Sequence, residues 1–432
     1  MKKVLIISYY WPPGSGAGVQ RWLKFSKYLR DFGWEPIIYT PHNPEYPEAD
    51  SSLEADIPEG TQVLRQKIWE PYQLYKCFSG RKQSEKIQAG FLSENKEPGL
   101  SDRIATWLRG NLFIPDARKY WIKPSVRYLT GWLKENHIDA MVSTGPPHSM
   151  HMIALGLKER TGIPWLADFR DPWTQIDFYH HLMLTRWADA RHKHMEAKVL
   201  CQADRVVTVS PGCAEGLKAI SGRSVEVITN GYDPDDFMDV PDFDYQFFSI
   251  THLGSMNADR NPENLWAALA ALIEGDPLLK EKLKIRLIGK TDISVIKNLT
   301  RLGLLRYTEQ RPFLPHQEAI RQAANSAILL LALNNTPNVM GIAPGKMYEY
   351  LAMKRPILAI GPANGNAADI ISETNSGYTL PFNDTETMIN VLKKWINKYQ
   401  KRTLCMENQH TERYTRERLC EQVADRLNHI ST

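Results

Sequence analysis

Twice along the chain, short apolar runs alternate with amphipathic stretches, and this alternation leaves few folds open. In the first half the runs are "KVLIIS" (3–8), "EPIIYT" (35–40), "DAMVST" (139–144), "PWLADF" (164–169), "DRVVTVS" (204–210) and "VEVITN" (225–230). Helix-period segments at 149–161, 181–201 and 211–220 lie among them. Runs that are apolar throughout, with helices between them, mark parallel strands covered on both faces. Residues 43–100, rich in Pro, Glu and Ser, read as an insertion with little regular structure. The stretch "GYDPDDFMDVPDFDYQF" (231–247) reads as an acidic linker. The pattern then restarts with "FSITHLG", "KIRLIG", "AILLLAL" and "RPILAIG", and 384–430 reads as helical throughout. At 432 residues the chain is too long for one core. The expectation is an α/β protein of two Rossmann-like domains facing a cleft. The first covers 1–232 and the second 248–400, with a linker at 233–247 and a C-terminal helix at 401–432 packing back toward the first. Ligands of such sheets gather at the C-terminal ends of the strands.

Composition narrows the classes. With 43% hydrophobic and 24% charged residues, the chain is that of a water-soluble globular protein. No run is long enough to span a bilayer, and "VLIIS" is too short for a secretory signal core. The five cysteines are scattered without CxxC pairing, which argues against a disulfide framework and a zinc site and for a reducing cytoplasm. Net charge is a modest +4, yet segment 101–134 carries seven basic and two acidic residues together with Trp107, Trp121 and Trp132. Cations mixed with tryptophans suit the interface of an anionic membrane, so the expected location is the cytoplasm, against the inner membrane face. The alternative is that the tryptophans are core and the cations solvated. Nucleic acid is not expected as a partner, because the charge is confined and no recognised module appears.

The candidate residues fall at strand ends. Behind the first strand, "SYYWPPGSGAGVQRWLKF" (8–25) places Gly14, Ser15 and Gly16 before a helix. It is not a dinucleotide fingerprint: position 19 is valine, and the second strand ends in Thr40 and Pro41 rather than an acid. It is either an anion-binding helix start or an ordinary connection. "STGPPHSMH" places His148 at a strand mouth, and "LADFRDPW" offers Asp168, Arg170 and Asp171. Either carboxylate is a candidate proton acceptor, or else a cap or ion-pair partner. In the second half, "HLGSMNADRNPENLWAAL" ends a strand at Gly254 and Ser255 and sets Arg260 before a helix. In "PGKMYEYLAMKRPILAIG", Pro344 sits about where a helix starts, followed by Gly345, and Lys346 and Glu349 share one face of that helix. A lysine at a helix start wants an anion, and a carboxylate one turn on can accept two sugar hydroxyls. Phosphate plus ribose fits both. No cluster has metal-ligand spacing, which agrees with the family resemblance that follows and its implication of no metal and no cofactor.

Several segments resemble GT-B glycosyltransferases. "TNGYDPDDF" is similar to the signature that closes their N-terminal domain, and "PGKMYEYLAMKRPILAIG" to their nucleotide-sugar helix and following strand. "ADFRDPW", "RPFLPHQEA" and "DIISETNSGY" also match family segments, and the chain resembles a member of glycosyltransferase family 4. The resemblance implies that Glu349 binds the ribose of a UDP- or GDP-sugar co-substrate. It further implies that Lys346 and Arg260 neutralise the pyrophosphate, with the Gly14–Gly16 loop facing it. His148 would lie near the transferred sugar, and Arg311 and Phe313 near the base. It implies transfer to a glycan or lipid-linked acceptor in surface polysaccharide biosynthesis, without metal and with retention, the leaving diphosphate assisting deprotonation. Two positions depart from the family: Gly341 stands where the first glutamate of an E-x7-E pair belongs, and Ser255 where an arginine belongs. Alternatives are a sugar-nucleotide epimerase and a non-catalytic nucleotide-sugar-binding protein; a dehydrogenase fits least.

Overall fold

The computed structural model describes residues 1–46, 48–70 and 100–431. The chain divides into two compact units, Met1–Thr229 with Arg416–Thr432, and Asn230–Thr415.

The N-terminal unit is built on a parallel sheet of seven strands: β1 (Lys2–Ile7), β2 (Trp34–Pro41), β3 (Gln62–Gln66), β4 (Ala140–Gly145), β5 (Trp165–Phe169), β6 (Arg205–Thr208) and β7 (Glu226–Val227). Their spatial order is β3-β2-β1-β4-β5-β6-β7. Its helices are α1 (Ala17–Tyr28), α2 (Leu100–Leu112), α3 (Lys119–Trp132), α4 (Ser149–Thr161), α5 (Arg186–Gln202) and α6 (Pro211–Ser221). The strands are apolar on both faces because both are covered. Leu5 and Ile7 join one buried cluster with Met141, Trp165 and Leu157. Their neighbours Val4 and Ile6 join the opposite one with Val142, Leu166 and Trp22.

The second unit repeats the plan with β8 (Phe248–Leu253), β9 (Leu283–Ile288), β10 (Thr308–Arg311), β11 (Ile328–Ala332), β12 (Ile357–Ile360) and β13 (Gly377–Leu380), in the order β10-β9-β8-β11-β12-β13. Its helices are α7 (Glu263–Gly275), α8 (Pro277–Lys282), α9 (Ile293–Arg301), α10 (His316–Ala324), α11 (Gly345–Ala352), α12 (Asn366–Glu373) and α13 (Thr385–Gln400). On β11, Ile328 and Leu330 face one cluster while Leu329 and Leu331 face the other. Asp276, Asp292 and Asp384 cap α8, α9 and α13 by accepting backbone N–H bonds.

Three strands went unread in the sequence: β3, β10 and β13. Each lies at or beside a sheet edge and is at most partly covered, so none has a continuous apolar run. β3 falls inside the segment expected to be irregular, of which 71–99 lie outside the described residues. The stretch 384–430 is not one helical region. It breaks after α13, and Arg402 and His410 adopt positive φ. There Leu404 is buried in the second unit, Asn408 Nδ2 donates to the Leu351 carbonyl (2.7 Å) and the Gln409 N–H to that of Thr374 (2.9 Å). Only then does α14 (Arg416–Ile430) begin, and it belongs to the N-terminal unit. It lays Leu419, Val423 and Leu427 into the core beneath α1.

Leu427→Ala should therefore destabilise the N-terminal unit by about 2–5 kcal/mol, whereas Arg418→Ala, at a 65% exposed side chain, should change little. Chemical denaturation of the full chain checks both.

Candidate active site

In the N-terminal unit the C-terminal ends of β1, β4 and β5 gather most of the candidates. Asp168 on β5 is fully buried and fully engaged. Arg21 of α1 donates to both its oxygens (3.1 Å each), Trp22 Nε1 to Oδ2 (2.6 Å) and Thr144 Oγ1 to Oδ2 (3.0 Å). Burial alone would raise its pKa; the Arg21 charge and the Arg21 and Trp22 hydrogen bonds outweigh burial and hold it below the usual carboxylate value. A carboxylate so held is a poor proton acceptor and a good clamp. Asp171 is exposed, just past β5.

His148 precedes α4 but does not cap it. Asp116 does, accepting from the Ser149 N–H and Oγ (2.8 Å each), which leaves the imidazole to other work. Its ring stacks on Trp173 (4.7 Å, 2°), and His151 stacks on Phe169 (4.3 Å, 19°). A Cβ on Gly145 would lie 2.5 Å from His151 Nε2 and 3.1 Å from His148 Nδ1, so only glycine admits both rings. Those two nitrogens are buried and without hydrogen-bond partners among the described residues. Trp165 Nε1 donates to Ser143 Oγ (2.9 Å), and the same oxygen lies 2.8 Å from His151 Nδ1. Burial keeps both histidines neutral, lowering His148 well below its ordinary value and His151 to about 3.

Sequence reasoning missed the support behind His148. Trp173 Nε1 donates to His192 Nδ1 (3.0 Å), and His192 Nε2 faces the Gly110 carbonyl of α2 (3.4 Å). Glu196, fully buried, accepts from the Trp173 and Thr174 N–H groups and the Thr174 hydroxyl. His192 and Glu196 sit one helical turn apart on α5, the one available signal.

The opening loop folds back on residues 48–50. The Gly14 N–H donates to Trp11 O (3.0 Å) and that of Ser15 to Glu48 O (3.3 Å), so neither is available for an anion. Gly16 takes φ 92°, open only to glycine at low cost, and starts α1. The first turn of α1 is what remains for a negative charge, and the Arg170 guanidinium lies over Gly18 at its start.

In the second unit, Gly254 and Ser255 follow the end of β8, and α11 brings Lys346 to that end. Lys346 Nζ donates to the Leu253 carbonyl (2.7 Å) and to His252 Nε2 (3.0 Å). His252 Nδ1 in turn gives its proton to Leu330 O (3.1 Å). Arg260 Nη1 donates to Ser255 O (3.0 Å), bringing a second cation to the same loop. Burial, then the Arg260 charge, lower the Lys346 pKa well below its ordinary value, with Glu349 opposing; burial and the Lys346 charge do the same to His252. Glu349 lies 3.9 Å from His316 Nδ1, and His316 Nε2 lies 3.3 Å from Asp236. Tyr350 OH accepts the Leu253 N–H (3.0 Å), fixing α11 to the strand end. Thus Gly254, Ser255, Arg260, Gly345, Lys346 and Glu349 come from one strand end and one helix. Arg311 and Phe313 lie apart, Arg311 at the end of edge strand β10 and Phe313 just past it, with Arg311 3.6 Å from Glu309 and Phe313 42% exposed. Gly341, on a short turn before α11, supplies no side chain.

Among the described residues no cluster of three His, Cys, Asp or Glu side chains could hold a metal ion, and no helix is long and apolar enough to cross a membrane.

Two parallel sheets of this topology, each covered by helices on both faces, are the two Rossmann-like domains of GT-B architecture. The chain belongs to glycosyltransferase family 4, whose family model matches residues 18–236. HepE from Anabaena, solved with UDP and glucose, is similar over 99% of this chain and 100% of its own, at 15% identity and TM-score 0.64. WaaG, a glycosyltransferase involved in lipopolysaccharide biosynthesis, is similar over 98% and 99%, at 13% identity and TM-score 0.58. Sucrose-phosphate synthase from Thermosynechococcus elongatus is similar over 100% and 96%, at 12% identity and TM-score 0.58. At these identities the likeness is one of fold. No curated protein matches the chain in sequence.

The neutral histidines make a pH prediction. An unfolded chain protonates each below about pH 6.5, while the folded protein does not until far lower, for His151 about 3. Stability should therefore fall as pH is lowered through this window, by up to about 1.4 kcal/mol per pH unit for each histidine. His151→Gln should flatten the profile in urea titrations run at successive pH values; an unchanged slope would refute the assignment.

Proposed function

We propose that this glycosyltransferase moves a sugar from a UDP- or GDP-sugar to a glycan or lipid-linked acceptor in surface polysaccharide biosynthesis. The observation that carries this is the strand mouth of the second unit. A lysine is held there against a neutral histidine and a carbonyl, beside a second cation, with a carboxylate one turn further along the same helix. Burial disfavours the charged lysine, and a diphosphate restores it, so donor binding and lysine protonation reinforce one another. Glu349 accepts two ribose hydroxyls, and Arg311 and Phe313 bracket the base. HepE, solved with UDP and glucose, and WaaG, involved in lipopolysaccharide biosynthesis, agree with this reading.

The two cations replace a metal as countercharge to the leaving diphosphate. The acceptor hydroxyl attacks the anomeric carbon as the bond to the phosphate oxygen breaks, and the freed phosphate oxygen takes the hydroxyl proton. Attack on the face the diphosphate leaves retains configuration. His148 is offered to a hydroxyl of the transferred sugar, and Asp168 fixes the site rather than moving protons. Gly341 favours a second reading, binding without transfer, because one of the family's carboxylates is missing.

A thermal-shift panel of UDP, GDP, their sugar conjugates and NAD separates these readings. A ligand at about 100 times its dissociation constant should add about 2.7 kcal/mol to the wild type and much less to Glu349→Ala. Stabilisation by NAD alone would sink the proposal. Binding of the nucleotide sugar without transfer or slow hydrolysis would establish the second reading.

A further inference from the structure

One histidine ties the acidic turn at the start of the second unit to the helix that carries Glu349. The turn, Pro234–Phe237, is seated firmly: Tyr232 and Phe237 meet edge-on at 5.9 Å and pack against the buried cluster that includes Met347 and Leu351 of α11. Its Asp236 is buried, and a buried carboxylate needs donors. The first two residues of α10 supply them. His316 Nε2 lies 3.3 Å from Asp236 Oδ2, and Gln317 Nε2 donates to Oδ1 (3.2 Å). The other ring nitrogen, His316 Nδ1, faces α11 and lies 3.9 Å from Glu349 Oε1. The imidazole thus stands between two carboxylates, with 14% of its side chain exposed.

Helical spacing offers Glu349 a different partner. Lys346 lies three residues earlier on the same face, where opposite charges attract one another. Its ammonium is turned instead to the Leu253 carbonyl and to His252 Nε2. Each charge on α11 is therefore drawn to its own histidine, His252 of β8 for the lysine and His316 of α10 for the glutamate. A Lys346–Glu349 pair would tie up the countercharge for a diphosphate and the acceptor for ribose hydroxyls together. Holding the carboxylate before the ligand arrives also lowers the rotamer freedom lost on binding.

We infer that His316 is a positioning residue for ribose recognition: anchored on Asp236 through Nε2, it holds the Glu349 carboxylate through Nδ1 and keeps it off Lys346. The inference rests on the reading of Glu349 as the ribose ligand. It gives Asp236, the last acid of "TNGYDPDDF", the task of anchoring that histidine.

The test is calorimetric titration of the full chain with UDP and GDP, each against its 2′,3′-dideoxy analogue. The members of each pair differ only in the two ribose hydroxyls, so their affinity ratio isolates the grip on ribose and cancels any common change at the diphosphate. Wild type should prefer the ribonucleotide at least about tenfold, since hydrogen bonds to a charged acceptor are the strong kind. Glu349→Ala should abolish the preference. His316→Gln places its amide N–H₂ about where Nε2 stands, so it keeps the Asp236 contact and loses Glu349; the ratio should fall to about threefold or less. His316→Asn places its N–H₂ about where Nδ1 stands and should keep most of the preference. A purely structural histidine would not separate the two variants in this way. The inference is overturned if His316→Gln discriminates like wild type or binds neither nucleotide, or if His316→Asn loses the preference as fully as His316→Gln. If wild type shows no preference, or Glu349→Ala retains it, the ribose reading of Glu349 falls first and this inference with it.

Discussion

The N-terminal unit turns on one buried ion pair. Arg21 has no exposed surface, yet its guanidinium is provided for: it donates to both oxygens of Asp168 and to the carbonyls of Ile228 (2.9 Å) and Thr229 (2.7 Å). Asp168 is met in turn from β4 by Thr144 and from α1 by Trp22. One charge pair therefore fixes α1, β4, β5 and the segment after β7, where the chain leaves this unit. Such a pair adds little net stability over an apolar one of equal volume, but removing one partner strands a buried charge at about 3–5 kcal/mol. Its worth lies in geometry. The strand mouth where His148 sits is held by a lattice that accepts only one arrangement.

Burial does opposite jobs in the two units by the same physics. Around Gly145 it strips charge from His148 and His151, leaving neutral rings, with Ser143 Oγ against Nδ1 of His151. At the end of β8 it strips charge from His252, which becomes the acceptor for Lys346, and strains against the charge on Lys346 itself. A neutral acceptor beside a reluctant cation is a site whose electrostatics are completed by an incoming anion.

The central strands of both sheets were legible because burial on two faces writes an unbroken apolar run. The edges were not, since Thr308–Arg311 and Gln62–Gln66 need no such run. Lys346 and Glu349 were legible as a pair because helical spacing puts them on one face. Trp173, His192 and Glu196 were not, because their meeting depends on α5 packing beside the loop after β5, a tertiary fact with no local signature. The break at 401–415 was hidden for a related reason. Its composition resembles that of the helices around it, and it is held irregular by contacts to Leu351 and Thr374, distant in sequence.

The two departures from the family pattern differ once distance in space replaces distance in sequence. Ser255 occupies the place of an arginine, but the short turn Ala258–Arg260 brings a guanidinium back to the Ser255 carbonyl at 3.0 Å. The charge is displaced along the chain and restored at the loop. Gly341 has no such repair of its own: it carries no side chain, and Glu349 is the carboxylate that α11 supplies. The countercharge for a diphosphate is thus retained while one carboxylate is lost. In the proposed donor site these groups are assigned to different parts of the donor, the pyrophosphate and the sugar, so on that proposal the element relaxed is the grip on the sugar.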